Sequence, residues 1–301
     1  MIYMEMKEFN KTGNKISVIG VGTWQLSDDR EGNINSIRYA IDQKVNFIDT
    51  AEIYNTEDIV GEAIRTYDRE NLFIASKVWP AHFRYDDVIK ACDGSLSRIG
   101  TKYLDLYQLH WPNKAIHIGE TMKAMEKLVD DGKIKNIGVS NFSLEDLKEA
   151  QGAMKKYEIA SNQVEYNIVT RDIEASGLFD YCRENHIAII AYSPLSHGKI
   201  FGNKSLLNDL QRIGSKYNAT PAQVALAWLL ERDNTFPIPK ASNAEHMKED
   251  LKGIDIKLSK EDLDSLSKLD SKYHMESIAK QHVERSDKIN SYDFKEEKTE
   301  Q

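Results

Sequence analysis

Three short apolar runs in this chain each end on an ionisable residue. Phe47-Ile48 delivers Asp49, Leu72 to Ser76 ends on Lys77, and Leu104 to Leu109 ends on His110. A tyrosine, Tyr54, follows Asp49 in what reads as a loop. If the runs are neighbouring parallel strands, all four groups share one rim of one sheet, the rim where α/β folds place chemistry. A lone tyrosine is a poor acid near neutrality, its reference pKa being about 10. A nearby ammonium favours the phenolate and lowers that value, and a carboxylate beyond it holds the ammonium charged and oriented. A Tyr–Lys–Asp chain is therefore expected to form a proton donor tuned toward working pH. A neutral histidine beside it can hydrogen-bond a carbonyl oxygen and orient it. Together the four groups suit carbonyl reduction, in which hydride reaches carbon while the phenol protonates oxygen. Taken singly each has a plainer reading: Asp49 as a cap, Lys77 as the partner of any acid, His110 as a core histidine. Their placement at successive run ends favours the chemical one.

The elements that must position these groups alternate along the chain. Residues 5–21 read as two short strands around Lys11-Thr12-Gly13-Asn14, the second spanning Ile16 to Val21. Helical patterns over Ile37–Lys44, Ile59–Ile64 and Val88–Ile99 precede the runs ending at Asp49, Lys77 and His110. The rhythm continues with a helix at Thr121–Val129 and a strand at Ile137–Ser140, then Leu144–Tyr157 and Ala160–Glu165, then Ile173–Asn185 and Ala188–Ser193. Helices over Leu206–Tyr217 and Ala222–Glu231 follow, the latter opened by Thr220-Pro221 as N-cap and first helical residue, before a last strand at Thr235–Pro239. About eight strand–helix units without a linker argue for a parallel sheet closing into a (β/α)₈ TIM barrel, whose usual length is about 250 residues. A doubly wound open sheet is disfavoured because Gly20-Val21-Gly22 leads into Thr-Trp-Gln without the third glycine of a dinucleotide fingerprint. No P-loop or G-x-S-x-G elbow occurs.

Composition sets the outer limits. The 301 residues, 41% hydrophobic and 29% charged, can bury a sizeable core. A net charge of −8 with no Lys/Arg-rich cluster argues against a nucleic-acid surface. Apolar runs such as Ile187–Tyr192 and Val224–Leu230 are too short to span a bilayer, and the first residues lack an apolar signal region. Cys92 and Cys182 read as reduced thiols, and a cytoplasmic location is the expectation. The barrel is expected over 1–269. A charged C-terminal tail, 270–301, retains Tyr273, Met275, Ile278, Val283, Ile289, Tyr292 and Phe294, which could cover the barrel mouth.

Several ordered motifs resemble the aldo-keto reductases. They are Asp49-Thr50-Ala51-Glu52-Ile53-Tyr54, Ala75-Ser76-Lys77-Val78-Trp79, Leu104 to Pro112, Gly138-Val139-Ser140-Asn141-Phe142, Ala191-Tyr192-Ser193-Pro194-Leu195 and Ile238-Pro239-Lys240-Ala241-Ser242. The match runs in family order from about residue 6 to 269. The resemblance implies a barrel closed at the bottom by an N-terminal β-hairpin, and metal-free, NADPH-dependent reduction of aldehydes, ketones or sugars. Carried over, Tyr54 is the general acid, Lys77 and Asp49 tune it, and His110 orients the carbonyl. Ser140, Asn141 and Gln163 match positions that bind the nicotinamide carboxamide, Tyr192 the one that stacks on its ring. Ser193 and Leu195 match pyrophosphate-loop positions, and Gly22 and Thr23 line the site beside the cofactor. Gln163 could instead satisfy strand ends.

At the adenosine end the pattern departs from the family. Lys240 and Ser242 stand where the family grips the 2′-phosphate, and Glu249 matches, but His246 replaces the usual Arg and Asp250 the common Asn. A neutral His is a weaker phosphate contact than an Arg fork, and Asp250 adds negative charge nearby. NADPH preference with a reduced margin, and some NADH use, follows as the expectation. Trp24, Trp79 and Trp111 are expected to frame an aromatic substrate pocket with Tyr54 and His110, His197–Lys204 to form a lid, and Trp228 to lie in the core. A monomer acting on a small carbonyl compound is the leading reading. Its competitors are the same site run as an NADP-dependent dehydrogenase, and a nucleotide-binding regulatory barrel without turnover. The intact set Asp49, Tyr54, Lys77 and His110 weighs against the last.

Overall fold

The computed structural model describes residues 4–240 and 242–269. Eight parallel strands form one sheet in sequence order: β3 (Val21–Gly22), β4 (Phe47–Asp49), β5 (Phe73–Val78), β6 (Leu104–Leu109), β7 (Ile134–Ser140), β8 (Ile159–Glu165), β9 (Ala188–Tyr192) and β10 (Thr235–Ile238). The sheet closes on itself. Gly20 N–H donates to Pro237 O at 2.9 Å and Gly22 N–H to Pro239 O at 2.8 Å, and a parallel bridge pairs Gly22 with Lys240. A Cβ at Gly22 would crowd the Ile238 carbonyl oxygen at 3.0 Å, so the seam calls for glycine. The expected (β/α)₈ barrel is the fold observed.

The antiparallel hairpin β1 (Met6–Glu8) and β2 (Lys15–Ser17) precedes the barrel. Its turn carries Phe9, fully buried with its ring centroid 4.9 Å from Phe73 and 5.7 Å from Phe236, which plugs the N-terminal end. The single strand expected over Ile16–Val21 is in fact two. Ser17 N–H donates to Asn46 Oδ1 and its hydroxyl to Ile19 O, turning the chain from the hairpin into the barrel wall.

Strand periodicity then places the chemistry. Phe47, Ala75, Leu106, Ile190, Phe236 and Ile238 pack with Phe9 as one apolar cluster. Side chains along a strand alternate faces. Two residues onward on the same face come Asp49 after Phe47, Lys77 after Ala75, Gln108 after Leu106, Tyr192 after Ile190 and Lys240 after Ile238. A polar layer therefore lies directly above an apolar plug, toward the C-terminal rim. Gly138 makes room for it: a Cβ there would lie 2.5 Å from Ser161 Oγ and 2.9 Å from Gln108 Cγ.

The crossover helices are α1 (Arg30–Asp42), α2 (Glu57–Ile64), α3 (Tyr85–Ile99), α4 (Ile118–Asp130), α5 (Leu144–Ala153), α6 (Asp172–Ala175), α7 (Leu178–Glu184), α8 (Lys199–Gly202), α9 (Lys204–Tyr217) and α10 (Pro221–Leu230), followed by α11 (Ala244–Leu251) and α12 (Lys260–Ser267). Thr220 caps α10 in a capping box with Gln223, as its sequence proposes. Two helices are shorter than their periodicity predicts. The pattern over Ile173–Asn185 breaks into α6 and α7 at Gly177, which adopts φ 75°. The pattern over Leu144–Tyr157 stops at Ala153, because the backbone N–H groups of Lys155, Lys156 and Tyr157 donate to Glu126 Oε1 instead. Trp228 is fully buried, with the guanidinium groups of Arg171 and Arg232 at 5.0 and 4.1 Å from its ring. Both arginines also bind Ser267, tying the end of α12 to the barrel. The expectation that the tail covers the mouth falls on 270–301, outside the described residues.

Candidate active site

Four residues predicted from three separate motifs converge at the rim. Lys77 Nζ donates to Asp49 Oδ1 at 2.5 Å and to the Thr50 carbonyl at 2.8 Å, and lies 3.4 Å from the Tyr54 hydroxyl. Tyr54 OH is also 3.2 Å from His110 Nε2. The tyrosine arrives from a loop rather than a strand. A 3₁₀ turn over Glu52–Tyr54 is reversed by Asn55 in the left-handed region (φ 55°), which launches α2. Lys77 is fully buried and Asp49 is 2% exposed. The second carboxylate oxygen of Asp49 accepts from Gln163 Nε2 at 2.8 Å and Gln108 Nε2 at 3.3 Å. The ion pair thus sits in a satisfied polar network, the condition under which a buried pair is tolerated.

Electrostatics correct one expectation. Burial, followed by the charge of Asp49 and the neighbouring Tyr192, pushes the Tyr54 phenol well above its usual pKa. The anticipated lowering by Lys77 does not prevail, because the ammonium lies closer to Asp49 and the Thr50 carbonyl than to the phenol. Burial pulls the Lys77 ammonium below its usual pKa, and Asp49 counters that pull. His110 is driven well below 6.5, first by burial and then by the Lys77 charge, so its imidazole is neutral at pH 7. Its Nδ1 is buried without a hydrogen-bond partner among the described residues. The site is therefore a neutral phenol and a neutral imidazole above a paired, dry charge.

The expected cofactor residues occupy the adjoining strand ends. Ser140 Oγ donates to Gln163 O at 3.0 Å, Asn141 Nδ2 donates to Ser140 Oγ and to His110 O, and Tyr192 OH donates to Asn141 Oδ1 at 2.9 Å. The amide of Gln163 is partly committed, its Nε2 donating to Asp49. Gly22 and Thr23 do not present open surface. Both are buried, Gly22 in the barrel seam and Thr23 donating to the Asp49 carbonyl at 3.0 Å. The loop carrying Ser193 and Leu195 has positive φ at Ser193, Ser196, His197 and Gly198, and such strained backbone concentrates at functional sites. His197, expected in a lid, bonds Ser193 Oγ through Nε2 at 2.8 Å and meets Trp24 edge-on at 5.5 Å.

At the far end Lys240 Nζ donates to Gln25 O, Ser242 is half-buried, and His246 and Glu249 are exposed on α11. Asp250 turns inward instead. Burial, reinforced by Glu249, raises its carboxyl pKa to about 7, so the full negative charge expected there is only about half developed at neutral pH.

The three tryptophans expected at the substrate pocket are not fully enclosed in the core. Trp79 meets His110 edge-on at 5.3 Å, Trp111 is half-buried, and Trp24 is 41% exposed. Sequence reasoning missed the groups that brace them. Glu52 accepts from the Trp79 backbone N–H and pairs with His82 at 3.0 Å. Gln108 supports Asp49, and Thr50 holds Lys77 through its carbonyl. Gln108 had a readable signal, a polar residue two before His110 inside an apolar run. Glu52 had none, since its partner lies on another loop.

A closed parallel barrel with a protonated phenol poised at its dry rim defines an oxidoreductase of carbonyl groups. The aldo/keto reductase family model matches residues 18–271, and the chain belongs to that family. Among curated relatives it is similar to methylglyoxal reductase YeaE of Escherichia coli (strain K12), 36% identical over 273 residues that cover 88% of this chain and 95% of that protein. Among solved structures it is similar to the thermostable aldo-keto reductase Tm1743 in complex with the inhibitor epalrestat, with TM-score 0.85 and 40% identity over 88% of this chain and 100% of that one. It is also similar to an aldo/keto reductase from Klebsiella pneumoniae in complex with NADP and acetate, with TM-score 0.78 and 35% identity over 86% and 93% of the two chains.

Proposed function

We propose that this protein reduces small aldehydes and ketones with NADPH, Tyr54 supplying the proton. The observation that carries the reading is the Tyr54 hydroxyl, within hydrogen-bond reach of both Lys77 and His110 above the buried Asp49–Lys77 pair. The residues present suit the cofactor chemically. A hydroxyl (Ser140), two amides (Asn141, Gln163) and an aromatic ring (Tyr192) sit on adjacent strand ends, the donors, acceptors and flat face that a carboxamide-bearing ring requires. When bound, NADPH supplies hydride to the carbonyl carbon.

This chain's own residues do the rest. His110, held neutral, donates its ring N–H to the carbonyl oxygen and orients it without adding charge. As negative charge develops on that oxygen, the Tyr54 O–H bond breaks and its proton forms the new O–H of the alcohol. The phenolate left behind faces Lys77 Nζ, which stabilises it until a proton from solvent restores the phenol. Keeping the resting phenol protonated favours reduction, because the alkoxide it meets is a far stronger base than phenolate. The dehydrogenase direction would need the phenolate at rest, which the burial of Tyr54 opposes.

The relative's methylglyoxal activity and the aromatic mouth of Trp24, Trp79 and Trp111 support small 2-oxoaldehydes and flat aldehydes as substrates. Among the described residues no helix is long and apolar enough to cross a membrane, and both cysteines are free and buried. These features support a cytoplasmic enzyme. The test follows NADPH absorbance with methylglyoxal and an aromatic aldehyde, in parallel with NADH. A Tyr54→Phe variant is expected to lose about 10²–10⁴-fold in kcat while binding NADPH normally. An unchanged rate in that variant would refute the proton donor, and equal kcat/KM with NADH would overturn the cofactor preference.

A further inference from the structure

We infer that Thr56 is a positioning residue for the proton donor, acting through a directed chain of three buried threonine hydroxyls. The inference rests on the reading of Tyr54 as general acid. Thr56 precedes α2 at its N-cap position, where a threonine normally accepts a hydrogen bond from the first turn. Here its side chain makes no capping bond. Its hydroxyl lies instead 3.0 Å from Thr23 Oγ1 and 3.1 Å from Thr50 Oγ1, and all three residues are at most 5% exposed.

The direction of the chain is forced by its last acceptor. Thr23 Oγ1 lies 3.0 Å from the Asp49 carbonyl, which can only accept, so Thr23 donates its one hydroxyl proton there. The oxygen of Thr23 must then accept from Thr56, and that of Thr56 from Thr50. The order Thr50→Thr56→Thr23→Asp49 carbonyl uses each proton once.

This chain joins the groups that set the acid in place. Its first residue, Thr50, holds Lys77 Nζ through its carbonyl, and its last acceptor belongs to Asp49, whose side chain holds the same ammonium. Between Thr50 and Thr56 the backbone carries Tyr54 on its 3₁₀ turn. The hydroxyls therefore clamp both ends of the Tyr54 loop, and brace that loop against the β3 end through Thr23. Without Thr56 the Thr50 hydroxyl loses its acceptor and Thr23 its donor, and the loop is free to shift relative to Lys77.

The test compares Thr56→Val, which keeps the shape and removes the hydroxyl, with Thr56→Ser, which keeps the hydroxyl. Thr56→Val is expected to lower kcat roughly 10- to 100-fold per folded molecule, the scale that a misplacement of about 1 Å carries. Its NADPH dissociation constant, read by fluorescence titration, stays within about twofold, because the chain's hydroxyls are buried and Thr23 presents no open surface to a ligand. The solvent deuterium isotope effect on kcat increases, since transfer from a displaced phenol limits the rate; a merely structural loss would leave it alone. Thr56→Ser restores most of kcat and the wild-type isotope effect. Thr50→Val, which removes the first donor, shares the signature of Thr56→Val and serves if that variant folds poorly. Wild-type kcat and isotope effect in both valine variants, or equal impairment in Thr56→Ser and Thr56→Val, overturns the inference. A wild type that oxidises no NADPH with any carbonyl compound, or an unaffected Tyr54→Phe, overturns the reading of the site itself and this inference with it.

Discussion

Replacing Asp250 by Asn removes a charge that folding penalises, and the size of the effect can be worked out. Asp250 lies on the inner side of α11, 9% exposed, and its carboxyl pKa is raised from 3.8 to about 7, first by burial and then by the neighbouring Glu249. A raised carboxyl pKa means that the folded chain binds the proton more tightly than the unfolded one. Stability from this group is therefore complete below about pH 4 and declines as pH rises toward 7, beyond which the loss is constant. Each pKa unit is worth about 1.4 kcal/mol, so the rise amounts to about 4 kcal/mol of destabilisation above pH 8. Asn keeps the shape and carries no charge at any of these pH values. The variant should match the wild type near pH 4 and gain on it with a slope of about 1.4 kcal/mol per pH unit up to neutrality. Urea unfolding monitored by tryptophan fluorescence at pH 4.5, 6, 7 and 8 measures this directly, and a thermal shift of roughly 2 °C per kcal/mol offers a second readout. Parallel stability curves for the two proteins across this range would show that Asp250 is solvated and that the reasoning from its burial is wrong.

Two further outcomes follow from the polar layer. Lys77→Met leaves the Asp49 carboxylate buried without its counter-charge, and should destabilise the fold by roughly 3–5 kcal/mol, most of it recovered in the Asp49→Asn/Lys77→Met double variant. A single variant within about 1 kcal/mol of wild type in urea unfolding would contradict the buried pair. His110, whose pKa is depressed by burial and by Lys77, should show no imidazole titration by NMR between pH 6 and 8. Its depressed value makes its share of stability complete above the unfolded pKa of about 6.5 and progressively lost as pH falls below it. A titration midpoint near 6.5 would mean that water or a partner solvates the ring.

Much of this protein could be read along the chain, because its decisive patterns are local. Strand alternation is a property of a few consecutive residues, so Asp49, Lys77 and His110 announce themselves at the ends of apolar runs, and Thr220-Pro221 announces a helix start. The repeating units, once counted, leave few architectures other than a closed barrel. What the local pattern cannot express is competition between distant partners. The helix after Leu144 ends early because Glu126, on another helix, takes the next backbone donors. Tyr54 was expected to be acidified by Lys77, yet only the folded site sets the ammonium nearer to Asp49 and Thr50 than to the phenol, under burial that governs the result. Asp250 likewise reads as a full negative charge beside the expected phosphate grip until α11 turns it inward. The order of elements and the residues that meet at the candidate site were determined by sequence alone. Their protonation states, and the threonine chain that holds the acid in place, were decided by the tertiary structure, because desolvation and hydrogen-bond competition exist only once distant residues share a dry space.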